Sequence, residues 1–117
     1  GGFNLSTAGD QVIVYQGSIA QPEYLFGIQS NSSQWQIGAD DSNQSALPCG
    51  LTPGTDAVAV GAGPGEEDEF DNAYFDPSPG FFCSSKETCA TAIADPTNWT
   101  GSNPAVDTLF LTTIPGL

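Results

Sequence analysis

The densest set of chemically competent side chains in this sequence is a run of carboxylates. Glu66, Glu67, Asp68, Glu69 and Asp71 fall within six residues, with Asn72 adjacent. Hard oxygen donors of this kind suit Ca2+. Crowded without a counter-ion, they raise one another's pKa and loosen the loop that carries them. A bound cation would relieve both, so the run is a candidate Ca2+ site. Its spacing is not that of an EF-hand loop, which needs alternating Asp/Asn ligands, a Gly and a Glu at the twelfth position. The competing reading is a solvated acidic loop. Asp40 and Asp41 make a weaker second pair.

Catalytic chemistry has little to work with. There is no His and no Arg, and Lys86 is the single base. Ser-His-Asp and Cys-His arrangements are therefore excluded. No G-x-S-x-G, phosphate-cradling glycine motif or zinc ligand set occurs, and Asp107-Thr108 is followed by Leu109, not Gly. Only a carboxylate pair of the glycosidase kind remains, in a chain where carboxylates are scattered throughout. The sequence reads as a non-enzyme with no catalytic residues. Its net charge of −13 repels phosphate backbones, which excludes nucleic acid as a partner, and disfavours anionic membranes. The longest apolar runs, residues 12–15 and 109–111, are far short of the roughly 20 residues a spanning helix needs. Trp35, Trp99, Tyr15, Tyr24 and Tyr74 can stack on glycans, but strand spacing favours packing for Tyr15 and Tyr24, and Trp99 reads as a plug beneath a helix end.

Modification chemistry is better represented. Asn4, Asn31, Asn43 and Asn98 each begin an N-x-[ST] sequon, four of the six asparagines, which marks them as N-glycosylation acceptors of a secreted chain. Cys49 follows a Pro in a turn, and Cys83 and Cys89 flank a helix start; turn cysteines persist best as disulfides in an oxidising compartment. Three cysteines allow three pairings, each leaving one over. Cys83–Cys89 is favoured because its short loop closes at a helix entrance. Cys49–Cys83 is close behind, and a leftover Cys49 can bond another chain. One basic residue also leaves trypsin-like proteases a single cleavage site. The opening Gly1-Gly2, without Met, reads as a processed chain or part of a longer one.

These side chains must be positioned by short elements, because Gly (14) and Pro (9) enforce many turns. Residues 3–6 form a short extended piece. Residues 11–16 (QVIVYQ) are β-branched and apolar on both faces, which predicts a central strand. Residues 23–29 alternate, with Tyr24, Phe26 and Ile28 on one face; the two form an antiparallel pair joined by a loop holding Pro22. Residues 30–46 are polar, with Trp35 and Ile37 marking a short strand at best and the rest an exposed loop. Thr52-Pro53-Gly54-Thr55 has the type II turn signature, and a small-residue strand follows at 57–60. Residues 61–82 are irregular apart from a brief strand at 73–75. The single helix covers 85–94, with Ser84 as N-cap and Glu87 completing a capping box, and Asp95-Pro96 ends it. Residues 98–101 make a surface turn, and 108–114 (TLFLTTI) a strand. Together they predict one mainly β domain over residues 1–117, an antiparallel sandwich or roll with one short helix.

Five blocks carry a resemblance: FNLSTAGDQ (3–11), SALPCGLT (45–52), GTDAVAV (54–60), FDNAY (70–74) and AIADPTNWTG (92–101). They resemble the later part of a secreted β-rich module that accompanies lamin-tail-like sandwich domains in large extracellular proteins of bacteria and marine microbes. The resemblance covers residues 3–101 discontinuously. It implies a non-catalytic extracellular module whose preceding strands this chain lacks, and hence a fragment, or a subunit completed by strands from a neighbouring chain or a missing segment. The chain departs from that pattern at Cys49, Cys83 and Cys89 and at the 66–69 acid run, which looks inserted. The sequence thus predicts a secreted, glycosylated structural or adhesive module of a cell surface or fibre, associating with itself or with matrix and surface proteins. The alternative is a Ca2+-dependent carbohydrate- or mineral-binding domain.

Overall fold

Alternation and β-branching favour extended backbone in the first third of the chain. The structure, a computed structural model describing Ser6, residues 8–65 and residues 68–103, forms them into β1 (Gln11–Ser18) and β2 (Gln21–Gln29). They pair antiparallel from Ser18↔Gln21 to Gln11↔Gln29. The hairpin is tighter than the expected loop, since Pro22 lies inside β2, opposite Gly17. Among the described residues β2 has a neighbour on its other side only from Gly27 onward, so a missing N–H at Pro22 costs no ladder bond to them. The register slips between Val14 and Tyr15, which face Phe26 and Tyr24, leaving Leu25 as the extra residue on β2.

The third strand corrects the sequence reading. β3 (Ala57–Ala59) adds to the inner end of β2 in parallel, with Gly27↔Ala57, Ile28↔Val58 and Gln29↔Ala59. A parallel neighbour needs a crossover of a dozen or more residues, and residues 30–56 supply it. Among the described residues the sheet order is β1-β2-β3, which places β1 at an edge there, where its sequence suggested a central strand. The turn before β3 forms as expected: Gly54 has φ 81° and the Thr55 N–H donates to the Thr52 carbonyl at 3.1 Å.

A second sheet holds β4 (Asn72–Phe75) and β5 (Trp99–Ser102), antiparallel from Asn72↔Ser102 to Phe75↔Trp99. The expected surface turn at 98–101 is therefore mostly strand. Between the two strands lie α1 (Lys86–Ala94) and a 3-10 turn, Pro96–Asn98. The helix cap lies one residue later than the sequence suggested. Ser85 Oγ accepts from the Thr88 N–H at 3.2 Å, and the Ser85 N–H donates to Thr88 Oγ1 at 3.0 Å. Thr88 thus takes the reciprocal role assigned to Glu87, because a hydroxyl three residues on can accept as well as a carboxylate. Trp99 Nε1 donates to the Ile93 carbonyl at 2.8 Å and Asn98 Nδ2 to that of Ala92 at 2.9 Å. These side chains satisfy carbonyls that the helix end leaves open. Phe75 stands edge-on to both Trp99 and Phe81, each at 5.7 Å between ring centroids.

The described residues are mainly strand, with one α-helix. Their buried apolar side chains are few and small: Leu51, Ala57, Val58, Ala59, Val60 and Ala94. The expected strands at 3–6 and 108–114 lie outside the described residues, apart from Ser6.

Candidate functional site

Small residues along β3 let neighbouring backbone approach closely, and polar side chains occupy the space beside them. Gln29, at the end of β2, is 1% exposed. Its Nε2 donates to the carbonyls of Ser32 at 2.9 Å and Gln34 at 3.1 Å, and its Oε1 accepts from the Ser32 N–H at 3.1 Å. Ser32 Oγ donates to the Gln34 carbonyl and accepts from Gln36 Nε2 at 2.7 Å. Gln36 and Ser45 then clasp each other: the Ser45 N–H donates to Gln36 Oε1 at 2.8 Å, and the Gln36 N–H to the Ser45 carbonyl at 3.0 Å. Ser45 Oγ donates to Asn31 Oδ1, and Asn31 Nδ2 donates to the Ala8 carbonyl at 2.9 Å. Gly61 packs so closely on this knot that a Cβ there would lie 2.4 Å from the Ser32 backbone. Residues 30–46 are thus not simply an exposed loop. The buried amides and hydroxyls of Gln29, Asn31, Ser32 and Ser45 are hydrogen-bonded, which offsets the desolvation penalty of burial.

Asn31, one of the sequon asparagines, is buried. The side chain is 1% exposed and both ends of its amide are engaged inside the knot, leaving no room for a sugar in this fold. Asn43 is half-buried on the polar 40–44 loop, where its N–H donates to Asp41 Oδ1 at 2.8 Å. Asn98 is half-buried, with one amide hydrogen committed to Ala92; glycosylation replaces one of the two amide hydrogens and leaves the other able to donate. Asn4 lies outside the described residues.

The acidic run does not assemble into a cage among the described residues, where no group of three His, Cys, Asp or Glu gathers as metal ligands. Glu66 and Glu67 lie outside them. Asp68 turns back on its own loop: its Oδ2 accepts from the Gly65 N–H at 2.7 Å, and its carbonyl from the Ala62 N–H at 2.7 Å. The Asp71 N–H is instead held by Asn103 Oδ1 at 3.2 Å. Glu69 is half-buried. Asp95 and Glu87 are held below their ordinary pKa. Asp95 is lowered from 3.8 by the Thr97 hydroxyl and then the Thr97 N–H. Glu87 is lowered from 4.5 by its own N–H, then by Ser85, with a smaller contribution from Lys86.

Cys83 and Cys89 form a disulfide, with Cα atoms 5.0 Å apart, and Cys49 is an exposed free thiol. The bond ties the segment before α1 to its first turns. No helix of the described residues is long and apolar enough to cross a membrane.

The hairpin reverses the usual distribution. Val12, Val14, Tyr15, Ile19, Tyr24 and Leu25 are exposed, Val14 to 50% and Ile19 to 86%. Scattered apolar residues on a surface are ordinary; here six concentrate on one hairpin, spread over its two faces and its tip. At its inner end the hairpin is anchored. Gly27 faces Leu51, Ile13 and Trp35, each 3.2–3.3 Å from where its Cβ would be. Trp35 also walls an open groove of about 430 Å3 shared with Leu47, Pro53, Ala57, Ala94 and Pro96. Among the described residues its Nε1 is buried without a hydrogen-bond partner.

Sequence reasoning missed both the buried knot and the exposed hairpin. A Gln at the end of an apolar strand, followed by Asn, Ser and Gln at short intervals, was the available signal for the first. The second had none, since QVIVYQ reads as a core strand. Compared with protein-family models, with curated proteins and with solved structures, the chain matches none.

Proposed function

We propose that this chain is a non-catalytic structural or adhesive module that works outside the cell and joins neighbouring chains through the faces and tip of its β1–β2 hairpin. The observation that carries the reading is the exposure of Val14, Ile19 and Leu25 on a rigidly anchored hairpin, in a chain whose net charge of −13 otherwise opposes association. The hairpin strands carry a single charge, at Glu23, with Gln16 Nε2 bonded to it. An extracellular setting is supported by the Cys83–Cys89 disulfide, by sequons at Asn43 and Asn98, and by the resemblance to a secreted β-rich module. On this reading the two sheets are parts of a sandwich, and Asn43 and Asn98 carry glycans.

Sedimentation under non-reducing conditions tests it. Concentration-dependent association that is lost in the double variant Val14→Asp/Leu25→Asp supports the reading. A monomer at every concentration, with no hairpin-dependent retention on immobilised matrix or surface proteins, removes it. Intact mass before and after deglycosylation tests the glycans.

A further inference from the structure

The tip of the β1–β2 hairpin breaks a local rule. Ser18 pairs with Gln21, so Ile19 and Ala20 make the two-residue turn. Turn positions favour Gly, Pro, Asn, Asp and Ser, and the left-handed angle here falls on Gly17, at φ 86°. Nothing in the turn itself requires Ile. Yet Ile19 is 86% exposed, and Gly17, Ser18, Ala20 and Gln21 around it are exposed as well. Ile37 and Phe82 are comparably exposed, but they lie on irregular segments. Ile19 is held at the end of a paired ladder, which spares a partner the entropy of ordering it.

The same fold carries a recess of matching character. The groove of about 430 Å3 walled by Trp35, Leu47, Pro53, Ala57, Ala94 and Pro96 has no charged residue in its lining. Its volume falls within the about 300–1,000 Å3 of pockets that seat small, mainly apolar groups. Residues 17–22, GSIAQP, are uncharged too. In a chain of net charge −13, copies repel one another over most of their surface. Tip and groove are surfaces on which they meet without adding to that repulsion.

The tip cannot fill the groove of its own chain. Residues Gln21–Phe26 of β2 separate it from Gly27, about 20 Å at the rise of a strand. Gly27 pairs with Ala57, which lines the groove. Each copy therefore gives a tip and offers a groove to another copy. Two copies then seat reciprocally, or many add head to tail into a ring or fibre.

We propose that the Ile19–Ala20 tip of one copy seats in the groove walled by Trp35, Pro53 and Pro96 of a second copy. This rests on the hairpin association proposed above and names its receiving surface. A tip of two turn residues and their neighbours buries less than the about 1,000 Å2 of a stable pair, so each contact is weak and association shows at high protein concentration.

Sedimentation up to millimolar protein tests it with two single variants, both at exposed positions. Ile19→Asp removes the tip, and Pro53→Asp puts a carboxylate in the groove. Each weakens self-association at least about tenfold, through lost apolar burial in the first and a desolvated charge in the second. Protection of the Val58 amide shows that both fold, and Leu47→Glu replaces Pro53→Asp if the turn suffers. The mixture is the sharper measurement. Ile19→Asp keeps a groove and Pro53→Asp keeps a tip, so together they regain one contact and stop at a pair. A mixture that stays monomeric overturns the proposal. So does a Pro53→Asp variant that associates like the parent; if Val14→Asp/Leu25→Asp still abolishes association, the hairpin reading stands and the receiving surface lies elsewhere. A parent that is monomeric at every concentration also overturns the proposal, and leaves the hairpin reading to its retention test on matrix and surface proteins.

Discussion

The two ends of β2 sit in opposite environments that contradict their composition. At the inner end, Gln29 and the nearby Asn31, Ser32 and Ser45 are buried; along the outer hairpin Val14, Tyr15, Tyr24 and Leu25 face solvent. The difference teaches that burial here follows hydrogen-bond closure and backbone proximity more than side-chain polarity. Ala57, Ala59 and Gly61 bring backbones close, and what fits between close backbones is a side chain that can bond their amides and carbonyls. The residues of β2 before Gly27 lie outside that zone, and no described segment pairs with them on the side away from β1.

The largest effect that would break this comparison comes from the knot. Gln29→Ala strips partners from the Ser32 and Gln34 carbonyls and the Ser32 N–H. Leaving such groups buried and unpaired costs about 3 kcal/mol, measured by urea unfolding. A loss under about 1 kcal/mol would mean that water replaces the side chain and that the knot is not dry.

Next comes the disulfide, which belongs to neither region and serves as a gauge. Cys83 and Cys89 are six residues apart, and closing so short a loop contributes about 2 kcal/mol through the unfolded chain. Cys83→Ser/Cys89→Ser should lower stability by that amount without altering exchange at Val58.

One substitution made in both regions sharpens the comparison further. Val58 is 1% exposed, and Val58→Thr buries a hydroxyl at a cost of about 2 kcal/mol. Val14→Thr changes stability by less than about 0.5 kcal/mol, as exposed positions do. Equal costs at the two sites would show that another segment or chain covers the Val14 face.

The smallest effect is a pH dependence at the end of α1. Asp95 is held below its ordinary value of 3.8 by Thr97. The unfolded state therefore binds its proton at higher pH than the folded state, and stability falls as pH drops. The contribution is complete above about pH 3.8 and disappears as pH falls through the lowered folded value. Asp95→Asn should flatten the pH dependence of the urea midpoint between about pH 5 and about pH 2; an unchanged slope would remove the carboxylate from the account.

Much of the secondary structure was legible because it rests on local rules. The hairpin strands follow from β-branching and alternation, the turn before β3 from Pro53 and Gly54, and the helix from its capping hydroxyls and Asp95-Pro96. What was not legible depends on partners distant in sequence. The parallel pairing of β2 with β3 rests on where the 30–56 crossover returns. β5 looked like a turn because Thr100 and Gly101 carry turn composition, but Asn72, Ala73, Tyr74 and Phe75 offer that segment a ladder. Asn31 carried a sequon that the sequence could not distinguish from an exposed one, since its burial depends on Ala8 and Ser45.

By itself, then, the amino-acid sequence determined the strongly acidic character, the lack of a His side chain, the hairpin strands and the helix, and it favoured the short-range Cys83–Cys89 bond, because composition, periodicity and nearest neighbours are properties of the chain alone. Only the tertiary structure decided which strand is an edge, which amides are buried and which apolar residues face water. Those depend on contacts between segments tens of residues apart, where the same Val or Asn is stabilised inside or outside according to what packs against it.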